Sequence, residues 1–261
     1  MHLYQQLQRD TVADRNYLLA APAIQRALAG DITRELYVEF LTQAYHHVRH
    51  TVPLLMAVGA RLPQQHEWLR EAVLHYLDEE KGHEQWILND IEHAGGDRQA
   101  AAASLPSIAT ECMVAYAYDT IERRNPLGFF GMVFVLEGTS VALALNAADR
   151  IQKALQLPTT AFSYLRSHGE LDKEHVNDLA AILARLTDPE DREAVRHVPV
   201  LLEVRDVEHH GVADDHAFDV VRREVRADRG HANMHHTAVP LDACFTLGAG
   251  HARAAAPGRP V

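Results

Sequence analysis

His168, Asp172 and His175 stand at positions i, i+4 and i+7 of one segment, and their types and spacing suit metal ligation. At about 100° per residue, a helix brings the three within roughly 60° of one another on one face. The same face carries Ala161, Tyr164, Leu165, Leu171, Leu179, Ile182 and Leu183, so two imidazoles and a carboxylate lie in a stripe that should be core. Polar groups there cost free energy unless each finds a partner, and an ionised carboxylate costs most. A bound cation meets that need.

One helix cannot complete such a site. Residues 68–91 place Leu69, Ala72, Val73, Tyr76, Leu77, Ile87 and Ile91 at helical spacing, with Glu80 central in that arc and His83 on the same side. Asp78 and Glu79 point to the opposite side and read as solvated. A further candidate is Glu137, the only ionisable residue of the run 128–145. That helix is apolar on all sides and must be buried, which leaves its acid in need of a counter-ion.

Glu80, His83, Glu137, His168, Asp172 and His175 together make three carboxylates and three imidazoles on three helices. Mixed oxygen and nitrogen donors in that number suit two divalent metals, iron or manganese ahead of zinc because no thiolate is present. The design parallels bundles that project Glu and Glu-x-x-His from facing helices. Glu137 has no neighbouring ligand on its own helix. It is the carboxylate expected to bridge two metals, and the candidate catalytic residue.

The order Glu-x-x-His, then a lone Glu in an apolar helix, then His-x3-Asp-x2-His resembles the heme-oxygenase-like diiron oxidases and oxygenases. These iron-containing redox enzymes are related to heme oxygenase, to the thiaminase II family and to the pyrroloquinoline-quinone synthesis C protein. Residues 78–84 look especially similar, and the likeness extends over roughly residues 1–190. It implies an all-α, heme-oxygenase-like bundle of about seven helices. It also implies that all six residues are ligands to two Fe(II) ions, with manganese as the substitute. The implied activity is O2-dependent oxidation of a small amine, amino acid or fatty acid by a homodimer.

The bulk properties agree. A chain of 261 residues with 47% hydrophobic content has ample core for one large domain. A formal net charge of -11 argues against nucleic acid or an anionic membrane as partner. Cys112 and Cys244 are too few for a disulfide framework. No uncharged run of about 18 apolar residues and no signal-peptide pattern occur, so a cytoplasmic protein is expected.

Stepping along the chain, Pro22 divides residues 1–29 into two short helices, and Asp31 caps a long helix toward Leu62 that Pro53 bends. On that helix His46 and His50 point away from the core face and read as solvated, whereas His47 flanks it and is the candidate substrate-pocket residue. A helix follows over 68–91, ending at Gly95-Gly96, then a loop to Pro106 and helices from about Ser107 to Arg123, through Glu137 to about Gln156, and through His168 to about residue 185. Asp188 and Pro189 start a last helix, which Val198-Pro199 interrupts early. The helical domain is placed at 1–210. Residues 211–261 are a divergent, poorly structured or frame-shifted extension, charge-dense first and then rich in Gly, Ala, Arg and Pro. Two other functions are weighed. A cofactorless thiaminase II or quinone-synthase type of enzyme lacks its cysteine on the Glu137 helix, and an iron-storing or ligand-binding protein would need no turnover.

Overall fold

The computed structural model describes residues 2–202, with side chains through His197, and among them there is no strand. The all-α expectation holds, with twelve α-helices among the described residues in place of about seven. They are α1 (Leu3–Asp10), α2 (Val12–Leu19), α3 (Pro22–Ala29), α4 (Arg34–Val48), α5 (Thr51–Arg61), α6 (Glu67–Glu80), α7 (His83–His93), α8 (Arg98–Ala103), α9 (Ile108–Arg123), α10 (Phe129–Leu155), α11 (Ser163–Arg185) and α12 (Pro189–Leu202).

Most of the extra helices come from breaks inside longer apolar patterns, and each break has a cause. The segment before Gly30 is three helices, the first break falling at Thr11, whose hydroxyl donates back to the Leu7 carbonyl at 2.8 Å. The long helix expected from Asp31 is capped instead by Thr33, which accepts the Leu36 N–H. It divides between Val48 and Thr51 because the Pro53 ring conflicts with the carbonyl four residues back and has no N–H to offer it. The 68–91 segment divides at Lys81-Gly82, where Gly82 takes φ 93°, a conformation open to glycine and strained for most other residues. α8 fills part of the expected loop before Pro106.

Two apolar clusters build the core. The first gathers residues such as Leu69, Val73, Tyr76, Phe130, Val133, Leu179 and Leu183. The second gathers Tyr37, Leu41, Ile87, Ile91, Ala144, Ala148, Phe162 and Leu165. α10 runs through both, contributing residues 129–135 to one and 144–151 to the other, and α11 does the same in reverse. α6 belongs to the first and α7 to the second. Residues 80–83, 137 and 168–175 are among the strips of chain that cross between the clusters.

α12 closes the bundle against α10. Asp188 caps it by accepting the Glu190 N–H, and the buried Asp191 accepts from the Asn125 amide and pairs with His66 at 2.7 Å. With these anchors and Val195 fully buried, the helix continues through Pro199 to Leu202, beyond the expected interruption. The boundary at 210 and the extension 211–261 lie outside the described residues. Residues 126–155 are long and apolar enough to cross a membrane by composition, yet 61% of the most apolar window is buried inside the bundle.

Candidate metal centre

The strips between the two apolar clusters are where the six sequence-selected residues meet. α6 delivers Glu80 as its last residue, the turn at Lys81-Gly82 breaks the helix, and His83 opens α7. Glu137 comes from the middle of α10, and His168, Asp172 and His175 from α11. Their ligand atoms form two trios, Glu80/His83/His168 and Glu137/Asp172/His175, and within each trio the atoms lie within 4.8 Å of one another. All are buried except His168, which is nearly so, with 14% of its side chain exposed.

Distances connect the trios. His83 Nδ1 lies 3.1 Å from Glu80 Oε2, and His175 Nδ1 lies 3.5 Å from both Asp172 Oδ1 and Glu137 Oε1. Glu80 Oε1 is 4.0 Å from His175 Nδ1, so this carboxylate has one oxygen toward each trio. Glu80 is thus the carboxylate with an oxygen toward each trio, a position expected of Glu137.

The site attracts positive charge. Burial pushes Glu137 up to about 7, with His175 pulling it back. Burial works against the His175 imidazolium, yet the carboxylates of Asp172, Glu137 and Glu80 prevail and raise it to about 11. The same contest raises His168, through Asp172 and Glu80. Asp172 is lowered: burial opposes its charge, and His168 and His175 outweigh it. His83 Nδ1, Glu137 Oε2, His168 Nε2, Asp172 Oδ1 and His175 Nδ1 are buried with no hydrogen-bond partner. Buried polar atoms are seldom left so, and five converging nitrogen and oxygen donors fit divalent cations.

Three residues depart from expectation. Glu79 is not solvated: its Oε2 is 3.1 Å from His175 Nε2 and its other oxygen 3.4 Å from His75 Nε2. The side chain is long enough to swing from the neighbouring helical position at the fraying end of α6. His46 is buried, with Nε2 2.8 Å from the Ser104 hydroxyl, because α8 and its connection cover the side of α4 assigned to solvent. His50, in the α4–α5 break, is half-buried with Nδ1 3.2 Å from the Tyr118 hydroxyl. One residue was overlooked. Asp90, wholly buried on α7, accepts the N–H groups of Ser163 and Tyr164 at the start of α11. The signal was present, an acid between Ile87 and Ile91 on an apolar face.

A cavity of about 790 Å³ opens beside the centre. Glu80, Glu137, His168 and Asp172 line one part of it, and the rest is largely apolar, with residues such as Phe40, Leu55, Met132 and Leu143. His47 lines it too. Cys112 is exposed on α9 and is not among the lining residues.

With the geometry in hand, comparison with known proteins defines the class. Residues 38–200 match the family model described as iron-containing redox enzyme, and the chain belongs to that heme-oxygenase-like family. The segment includes all six residues. No curated protein matches the sequence. Among solved structures, a heme-oxygenase-like domain of unknown function from Shewanella denitrificans is similar at 24% identity and TM-score 0.71, covering 90% of this chain and 98% of that one. A TenA homologue from P. horikoshii is similar at 10% identity and TM-score 0.65, covering 79% and 95%. Heme oxygenase from Leptospira interrogans is similar at 14% identity and TM-score 0.62, covering 79% and 97%. At these identities the likeness is one of fold.

Proposed function

We propose that the protein is a non-heme diiron oxidase or oxygenase that uses O2 to oxidise a small organic molecule with a substantial apolar part. The observation that carries this reading is the pair of ligand trios, with five orphaned donor atoms, at the wall of a largely apolar cavity. Glu80, His83 and His168 would hold one iron and Glu137, Asp172 and His175 the other, with manganese as the substitute. Bound iron would supply the electron transfer to O2 that none of these side chains performs. The chain's own part is to hold the ions, seat the substrate and keep bulk water away. The apolar walls favour the hydrocarbon portion of an amine, amino acid or fatty acid and disfavour a fully hydrated one. His47, on the same wall, is the proposed contact for a polar group of the substrate.

The hydrolytic alternative of the TenA type is less well supported, because its cysteine has no counterpart among the described residues of the cavity wall, and Cys112 faces solvent. Anaerobic titration with Fe(II), followed by oxygen uptake with a panel of amines, amino acids and fatty acids, tests the proposal. Two Fe(II) per chain and substrate-dependent uptake are expected. Uptake of one ion or fewer, or no oxidation beyond that of free iron, overturns it.

A further inference from the structure

Glu79 stands next to a proposed ligand without being able to act as one for either trio, and its geometry gives it a different task. Its Oε2 lies 3.1 Å from His175 Nε2, while the Nδ1 of the same ring faces Asp172 and Glu137 at 3.5 Å and Glu80 at 4.0 Å. His175 is fixed on its other sides too. Its side chain is 1% exposed, and the Tyr76 ring packs 5.0 Å away while the Tyr76 hydroxyl donates to the His175 carbonyl. A neutral imidazole has one N–H and one lone pair, so the partner of one nitrogen decides what the other can do. A carboxylate only accepts.

We infer that Glu79 is the positioning residue of the Glu137/Asp172/His175 trio, accepting the Nε2–H of His175 so that the Nδ1 lone pair points at the metal position. This rests on the metal reading above. The partnership also raises the basicity of the ring as a donor, and removal of such a carboxylate typically weakens metal affinity by roughly 10–100-fold. Because Glu79 touches only His175 among the six, its effect is confined to one of the two ions. Glu79 is also partly exposed and lies one residue from the end of α6, so its replacement leaves the fold intact.

Anaerobic Co(II) titration of the whole chain, followed by the ligand-field absorption of the bound ion, reads the effect. Wild type is expected to bind two Co(II) per chain. Glu79→Ala is expected to keep one at wild-type affinity and weaken the other by roughly 10–100-fold. Glu79→Gln, whose amide oxygen still accepts the Nε2–H, should recover most of the loss. In the Zn(II)-loaded protein the His175 Nε2–H proton should exchange slowly with solvent in wild type and rapidly in Glu79→Ala, a change that a merely structural role would not produce. Failure of wild type to bind two ions overturns the metal reading and this inference with it. Two ions held by wild type and equally well by Glu79→Ala, or both ions lost together in the variant, overturns the inference alone.

Discussion

Asp90 on α7 accepts both the backbone N–H, at 2.9 Å, and the hydroxyl of Ser163, the first residue of α11. With the Tyr164 N–H at 2.8 Å, three donors converge on one buried carboxylate. It satisfies amides that a helix start leaves unpaired, and its charge lies at the positive end of the α11 dipole. α7 begins with His83, and α11 carries three of the proposed ligands, so this contact sets the two helices against each other at the metal centre.

Asp90→Ala should therefore destabilise the protein by roughly 2–4 kcal/mol, since it leaves two part-buried N–H groups and a hydroxyl without their partner. Asp90→Asn, which retains one acceptor oxygen, should cost about half as much. Urea denaturation of the two variants checks this, and a midpoint unchanged in Asp90→Ala would show that the cap does not matter to the fold.

That contact also marks the limit of what sequence conveys. The six donors could be read because each is a polar residue on an otherwise apolar helical face, and that property survives small errors in helix boundaries. A helical wheel turns Glu79 toward solvent because it follows the direction of the Cα–Cβ bond, whereas a glutamate near a helix end reaches a neighbouring sector. The wheel also turns His46 toward solvent, because what covers α4 there comes from residues 98–104, far along the chain. Gly82 could not be recognised as a helix break from periodicity, since the apolar pattern resumes after it in almost the same phase. Asp90 differs from these, because the rule that selected Glu80 and Glu137 applied to it equally.

Gly169 lies beside His168 where α11 crosses α10. A Cβ added there would lie 2.7 Å from Leu145 Cγ and 3.4 Å from the Leu145 backbone nitrogen. Cγ is the branch point of Leu145, so relief requires that side chain to leave its χ1 rotamer or the two helices to separate. Gly169→Ala should lose roughly 1–3 kcal/mol of stability even though alanine is the better helix former. It should also weaken Co(II) binding by shifting His168 and Asp172. A variant as stable as wild type or more so would show that the crossing has slack.

The two trios make unequal demands on their carboxylates. Glu137 is grouped only with Asp172 and His175, whereas Glu80 has an oxygen toward each trio. Glu137→Ala should keep about one iron per chain, at the Glu80/His83/His168 trio, and His83→Ala about one at the other. Glu80→Ala should impair both. Iron analysis after anaerobic loading and gel filtration measures this, and one retained iron in Glu80→Ala with none in Glu137→Ala would assign the bridging role to Glu137 instead.

Acidity should control metal uptake, and the sign follows from the groups at the second trio. Metal binding needs the carboxylate of Glu137 ionised and the Nδ1 of His175 free. Without metal, burial holds Glu137 at about 7, so it is roughly half protonated at neutral pH. The surrounding carboxylates hold His175 at about 11, so its ring stays protonated throughout the physiological range. A divalent ion entering this trio must displace the His175 proton and, below about pH 7, that of Glu137 as well. Affinity should therefore rise with pH, by roughly tenfold per unit above neutrality where one proton is displaced and more steeply below it. At pH 7 more than one proton should be released for each ion bound there. Anaerobic calorimetry with Co(II) in buffers of different ionisation enthalpy counts those protons directly. Heats that do not depend on the buffer, or an affinity that is flat between pH 6 and 8, would mean that His175 and Glu137 are already deprotonated in the metal-free protein and that the trio is organised differently.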